Sequence, residues 1–366
     1  MRKQNFIAAI LVAAISVPSS QQAQAQSTQE ALQTMAVGAK GQPLAIVHAE
    51  GGAFNEVLDI FSKKYGIEVQ ETVSRPSSIL ARIRTEQKNG QFVWDAWMGG
   101  TSNMVNEAAP IGALEPIEKY FVLNEVKDLS NWRSPDYIFG DSGHTAFAFV
   151  TKLEFFLVRN TDIVPDVHIK TWDDLLNPNL KGKISIRDAS APNAAVFPLA
   201  TAYGVKGADF LRKFFKDQDP KVFDNPQQLD SSVMRGTQAV AIGTAEETVT
   251  RCHNDGGCKN IELMREFGSA ISTGIAVPKN PPHPEVTKLW VNWLLSREGQ
   301  QAWVDAWAKY NYGGAVSMRK DVAPAPGHEQ FLPDFTKPEQ YVFVSSEKGS
   351  KEVDATIKLF KEITGR

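Results

Sequence analysis

Residues 43–73 read PLAIVHAEGGAFNEVLDIFSKKYGIEVQETV. Leu44 to His48 is a short apolar run of strand length, and EGG breaks it as a turn. AFNEVLDIFSKKYG follows with the apolar spacing of an amphipathic helix and ends at Gly66. IEVQETV then alternates as a second strand. This strand–helix–strand order predicts parallel pairing, because the helix returns the chain to the starting edge of the sheet.

The unit repeats downstream. SSILARIRTEQKNG has a helical pattern, FVWDAWM reads as a strand and TSNMVNEAAPIG as the next helix. Such alternation predicts an α/β fold, with a mainly parallel sheet flanked by helices. Ligands of these sheets bind beyond the carboxyl ends of the strands. The loops HAEGG, VSRPSS and MGGTSN fall there, which makes Glu50, Gly51, Arg75, Ser77, Gly100, Thr101 and Ser102 candidate binding residues. In WMGGTSN, adjacent glycines let the backbone turn sharply and approach another group. Thr101, Ser102 or Asn103 could cap the following helix. Alternatively, its free N–H groups and positive dipole end could meet an anion. Trp97 is open to two readings, a cover for the ligand or a core tryptophan. Arg75 is either a charged fork for an anion or a surface arginine before Pro76.

The second half repeats this logic. TAFAFVTKLEFFLVRNT reads as a long aromatic strand pair, and TWDDLLNPNLKGKISIRDAS as a fresh start. SAPNAAVFPLATAYG is another loop entering a helix, offering Ser190, Ala191 and Asn193. AVAIGTAEETVTRC places Glu246 and Glu247 after a strand, either as an exposed acidic helix start or as carboxylates in a cleft. GIAVPKNPPHPEVTKLWVNWLLSREGQQAWVDA gives a strand, a proline turn and two helical runs. Tyr310, Asn311 and Tyr312 precede the turn at Gly313 and Gly314, where they could line a cleft mouth.

The 366 residues allow two domains, and a formal charge of −3 with a pI near 6.1 gives no nucleic-acid footprint. Residues 1–25 have the pattern of a cleaved signal peptide: basic MRKQN, apolar FIAAILVAAISV and small residues at Ala23 and Ala25. Residues 26–41 read as a polar linker. An exported, periplasmic protein is the expectation, and Cys252 and Cys258 then pair as a disulfide. A metal site with His253 is the rival, though its spacing fits no familiar zinc pattern.

Taken together, HAEGGAFNEVLDIFSKKYGIEV, DAWMGGTSN, TWDDLLNPNLKGKISI, WLLSREGQQAW and YGGAVSMRKDV resemble the extracellular solute-binding proteins of bacterial ABC importers. The branch resembled holds binders of ferric iron, thiamine, polyamines, phosphonates and sugar phosphates. The resemblance implies a two-lobed periplasmic binding protein fold, type II-like, with hinge strands between the lobes. Lobe 1 would combine residues 42–145 with 275–366, and lobe 2 would span 146–274. Crossing segments would lie near residues 147–153 and 272–276. It also implies an inner-membrane permease and its ATPase as partners, a monomer, and neither cofactor nor resident metal.

For the solute, the two loop-to-helix starts favour an anionic, oxygen-rich compound bearing phosphate, phosphonate or carboxylate. Glu246 or Glu247 could hold its hydroxyl or amino end. Ferric binders of the branch use a histidine and adjacent tyrosines. His48 falls short of the histidine position and reads as a buried strand end, while Glu246 and Glu247 stand where the tyrosines would be. Iron is therefore the alternative solute. A secreted hydrolase is the remote one, since GDSGH at residues 140–144 imitates a protease nucleophile loop without the surrounding phrases. Neither a P-loop lysine motif nor HExxH is present.

Overall fold

In the computed structural model, the residues described are 19–49, 51–191, 196–310 and 313–366. Eleven strands are found among them: β1 Leu44–His48, β2 Val69–Val73, β3 Ala96–Gly100, β4 Leu114–Glu115, β5 Ala146–Glu154, β6 Phe156–Asn160, β7 Ile184–Arg187, β8 Lys221–Phe223, β9 Val240–Thr244, β10 Ile261–Met264 and β11 Ser269–Pro278. They form two sheets. The first runs β2-β1-β3-β11-β4, with β5 also paired to β11, and the second runs β10-β6-β9-β7-β8.

Residues 43–73 fold as their pattern predicts. β1 pairs in parallel with β2 on one side and β3 on the other, and the helix Gly52–Tyr65 buries Phe54, Val57, Leu58 and Phe61. In the second sheet, β7 pairs in parallel with β8 and β9. Both sheets are nevertheless mixed. β11 runs antiparallel to β3, β4 and β5, and β6 runs antiparallel to β9 and β10. The antiparallel pairings centre on β5, β6 and β11, where the chain passes from one sheet to the other, so local strand–helix alternation does not reveal them.

TAFAFVTKLEFFLVRNT is indeed two strands, but they do not pair with each other. Phe155, at φ 55°, separates β5 in the first sheet from β6 in the second. β11 makes the return journey and pairs with β5 from Ala276 opposite Ala146 to Ser269 opposite Glu154. In the middle of this ladder the Thr151 and Ser272 hydroxyls, both buried, bond at 2.9 Å. A third connection runs alongside. Ala270 N donates to the Val342 carbonyl, and Val344 N donates back to the Ala270 carbonyl.

Each sheet has its own main core. Phe61, Trp290, Trp293 and Trp303 centre the first, packed from the helices Gly52–Tyr65, Pro284–Leu295 and Arg297–Lys309. Ile184, Ile186, Leu199, Phe214 and Phe267 centre the second.

Two sequence expectations need correction. Residues 26–41, read as a linker, lie mostly within a helix, Ser19–Gly38, that also runs through the expected cleavage point. Leu32 and Ala39 are wholly buried in the first core, so the sparse apolar residues of a polar segment suffice to dock it. The C-terminal helix Glu347–Thr364 does not join lobe 1. Val353, Leu359 and Phe360 pack in the second core, with the Phe360 ring edge-on to Phe215. Full burial of a Leu or Phe contributes about 1.5–3 kcal/mol, enough to fix the helix there whatever the position of the preceding loop.

Candidate functional site

The carboxyl ends of β1, β2 and β3 lie together by their parallel register. His48 ends β1 with no exposure. It stacks on Phe54, its Nδ1 lies 2.7 Å from the Ala49 carbonyl, and its Nε2 lies 3.4 Å from Glu71. It is the buried strand-end residue that the sequence suggests. Glu50 lies outside the described residues, and Gly51 leads directly into the helix Gly52–Tyr65. Arg75 is exposed in extended backbone before the helix Pro76–Lys88. The side chain of Ser77 is outside the described set.

At the end of β3 the candidates separate. Trp97 is 1% exposed and packs with Val47, Trp94 and Ala276, which makes it core rather than a cover for a ligand. Gly100 is exposed and hydrogen-bonded in register with Thr273 of β11. Thr101 is 1% exposed, and its Oγ1 has no hydrogen-bond partner among the described residues. No side chain caps the short helix Thr101–Asn103. The capping reading of Thr101 therefore fails on geometry. A buried hydroxyl without a partner costs about 1–3 kcal/mol, so something must offset it or use it. Ser102 turns elsewhere and donates to Ser345 Oγ at 3.1 Å. Ser345 Oγ in turn accepts from Ser272 N, tying this segment to the crossing strand.

The second lobe offers a comparable edge. Asp188, just past β7, accepts from Ser190 N at 2.7 Å and pairs with Arg366 at 2.7 Å. Burial raises its carboxyl, but the Ser190 and Arg366 contacts outweigh this and hold it below the usual range. Ala191 is exposed, and Asn193 lies outside the described residues. Among the described residues no hydrogen bond joins residues 100–102 to Ser190 or Ala191.

Glu246 opens the helix Glu246–Asn254 after β9, yet it is only 8% exposed. The exposed-helix-start reading is thus corrected for this residue. Its carboxylate accepts from the Thr250 hydroxyl and faces the backbone of Gly313. The side chain of Glu247, and Tyr312 altogether, lie outside the described set.

Sequence reasoning missed several charged residues here. Asp230 sits near Arg187 and Arg251. Its carboxyl is pushed up by burial, against the pull of the two guanidinium charges. Lys152 of β5 donates to the Gly313 carbonyl at 3.2 Å and pairs with Glu154. His328 accepts from Ala315 N at its Nδ1, and burial pulls its pKa down. Their distant sequence positions gave no motif by which to find them.

Two rival constellations resolve simply. Cys252 and Cys258 are bonded, with Cα atoms 5.8 Å apart. His253 Nε2 lies 3.0 Å from both the Cys258 and Ile261 carbonyls, so it fastens the loop. In GDSGH, the Ser142 hydroxyl donates to Glu347, whereas His144 turns to Glu118 and stacks on Phe139. Serine and histidine have different partners, and the protease likeness is coincidental.

The sequence pattern of a family described as "Bacterial extracellular solute-binding protein" matches residues 44–306. An uncharacterized protein of Haemophilus influenzae is 26% identical over 276 residues, covering 72% of this chain and 76% of its own. Iron-bound HitA from Pseudomonas aeruginosa superposes with a TM-score of 0.62 at 16% identity, over 88% of this chain and all of its own. AfuA from Actinobacillus pleuropneumoniae, with fructose-6-phosphate bound, gives 0.56 at 19% identity, over 87% and 98%.

Proposed function

We propose a solute class from a plain premise: the chain belongs to the bacterial extracellular solute-binding proteins. Its fold is that of the two-lobed periplasmic binding proteins, whose members bind solutes for membrane permeases. In our reading the chain is exported through a cleaved signal peptide and closes its lobes on one small solute. It then passes that solute unchanged to an inner-membrane permease driven by a separate ATPase. The solute is anionic and rich in oxygen, carrying phosphate, phosphonate or carboxylate.

The observation that carries this reading is the buried, unpartnered Thr101 hydroxyl at the carboxyl edge of the first sheet. It is a donor kept out of water where α/β sheets bind ligands. A hydrogen bond to an anionic oxygen would repay its burial, since such bonds are stronger than those between neutral groups. Gly100 and Ser102 share the segment, Ser190, Ala191 and Asn193 would approach from the other lobe, and Arg75 would add a charged fork. The likeness to iron-bound HitA motivates the alternative, ferric iron. It draws less support, because the Glu246 carboxylate, a natural donor for a hard cation, is already engaged by Thr250.

The test is to incubate the exported protein with a metabolite mixture and, separately, with ferric citrate. Denaturation should release an anionic organic compound unchanged. Capture of iron alone would favour the alternative, and steady turnover of any compound would sink the binding role.

A further inference from the structure

Ser102 follows Thr101, yet its hydroxyl is already engaged. It donates to Ser345 Oγ at 3.1 Å, and the same oxygen accepts from Ser272 N of β11 at 3.3 Å. A serine oxygen has two acceptor lone pairs, and these two bonds use both. Ser345 is 4% exposed, so water is poorly placed to replace either donor.

Ser345 ends a strap that both lobes hold. Val342 and Val344 pack in the second core and Phe343 in the first, stacked on Tyr137 at 3.8 Å. Just beyond, Ser346 caps the helix Glu347–Thr364 by accepting from Gly349 N at 3.0 Å, and Glu347 N donates to the Gly140 carbonyl at 3.1 Å. A methyl group built on Gly140 would stand 2.5 Å from Val105 Cγ2 and 2.9 Å from the Ser345 carbonyl oxygen. Val105 lies in the helical turn Met104–Ala108, which continues directly from Thr101–Asn103. The first glycine of GDSGH thus lets the strap lie close against the continuation of the candidate solute segment.

Thr101 and Ser102 are thereby gripped at adjoining points of one strand. The Thr101 methyl packs against Gly274, and Ser102 is tied through Ser345 to Ser272. The methyl and hydroxyl of threonine share Cβ, so fixing one fixes the direction of the other. The helix Thr101–Asn103 has no side-chain cap, and three residues cannot hold a direction alone.

We propose that Ser345 is a positioning residue for solute binding. It holds the segment so that the Thr101 hydroxyl stands preset, and Ser102 is its handle rather than a solute contact. The inference rests on the reading of Thr101 as a solute donor. A preset donor binds more tightly than one that must be ordered on binding.

The experiment compares the parent with Ser345→Ala, Ser102→Ala and the double variant, using Thr101→Val as the reference for the site. Hydrogen exchange of amides 100–104 is read first, in solute-free protein. Loss of one ordinary hydrogen bond from the clamp should speed this exchange about fivefold in each single variant. Affinity is then measured for the compound that denaturation releases from the parent. Each single variant should weaken it about fivefold, and the double variant no more than Ser345→Ala, since one clamp is broken only once. Melting curves identify any variant that fails to fold; Ser102 is only half-buried, so its variant decides the exchange test should Ser345→Ala be lost. Unchanged exchange at residues 100–104 in folded variants overturns the proposal. So does weakened binding in Ser102→Ala beside full affinity in Ser345→Ala, the pattern of a direct solute contact. Unchanged affinity in Thr101→Val would sink the solute reading and this role with it. An affected Thr101→Val beside an unaffected Ser345→Ala would sink this role alone.

Discussion

Thr101 and Gly274 touch where the end of β3 meets the returning strand β11. A methyl group built on Gly274 would stand 2.4 Å from Thr101 Cγ2 and 2.5 Å from the Phe147 carbonyl oxygen. Gly274 therefore lets three things meet: the candidate solute loop, the crossing strand β5 and the returning strand β11. The ladder between β5 and β11 shifts register at this point, between Thr273 and Gly274.

Gly274→Ala should be destabilising by about 1–3 kcal/mol, the usual cost of forcing an extra methyl into a packed site. Here one of the obstructing atoms belongs to backbone, which cannot rotate away. Denaturant titration should report a lower midpoint with an unchanged slope. Full native stability would mean that the strands are looser than this packing implies.

His328 should make the protein sensitive to mild acid. Burial lowers its pKa, Lys152 adds to the effect, and Glu246 and Glu329 oppose it. The folded protein thus binds this proton less readily than the unfolded chain. The histidine's contribution is fully present above the unfolded value, about 6.5, and is lost as pH falls toward the lowered folded value. A protonated Nδ1 could not accept from Ala315 N, which supplies the local reason. His328→Asn retains an acceptor without the titration. Between about pH 8 and about pH 5 it should lose less stability than the parent; equal losses would clear His328 of the effect.

The pair Cys252–Cys258 closes a loop with a sequence separation of 6 residues. Replacing both cysteines by serine should cost about 2 kcal/mol by chain entropy for so short a loop. Thiol titration of freshly exported protein without reductant should find essentially no free thiol. Two reactive thiols would overturn the pairing.

Much of the architecture was legible in short range. Leu44 to Val73 carries its strand–helix–strand order in apolar spacing and one terminating glycine, because those signals are local. Position 155 shows where legibility ends. Nothing in KLEFFLV says that Phe155 hands the chain from one sheet to another, since that depends on distant partners in β9 and β11. The docking of Phe360 on the second core is likewise set by residues far away in sequence. At the candidate site, WMGGTSN singled out Thr101, but its lack of a hydrogen-bond partner among the described residues is visible only in three dimensions. Trp97 shows the converse, a residue attractive by type that burial assigns to the core. Glu246 read as either surface or cleft, and its contact with Gly313 across the lobes lay beyond any local pattern.

The central claim is that Thr101 donates to an anionic oxygen of the solute, and one variant tests it most directly. Thr101→Val removes the hydroxyl while nearly preserving volume. The solute is the compound recovered from the parent protein, and its affinity is measured by calorimetry alongside the melting temperature of the solute-free variant. We expect affinity to fall by about 1.5–3 kcal/mol, as for a hydrogen bond to a charged group. The solute-free fold should be as stable as the parent or slightly more so, because a buried hydroxyl without a partner has been removed. Unchanged affinity in a folded variant would contradict the claim and take Thr101 out of the site.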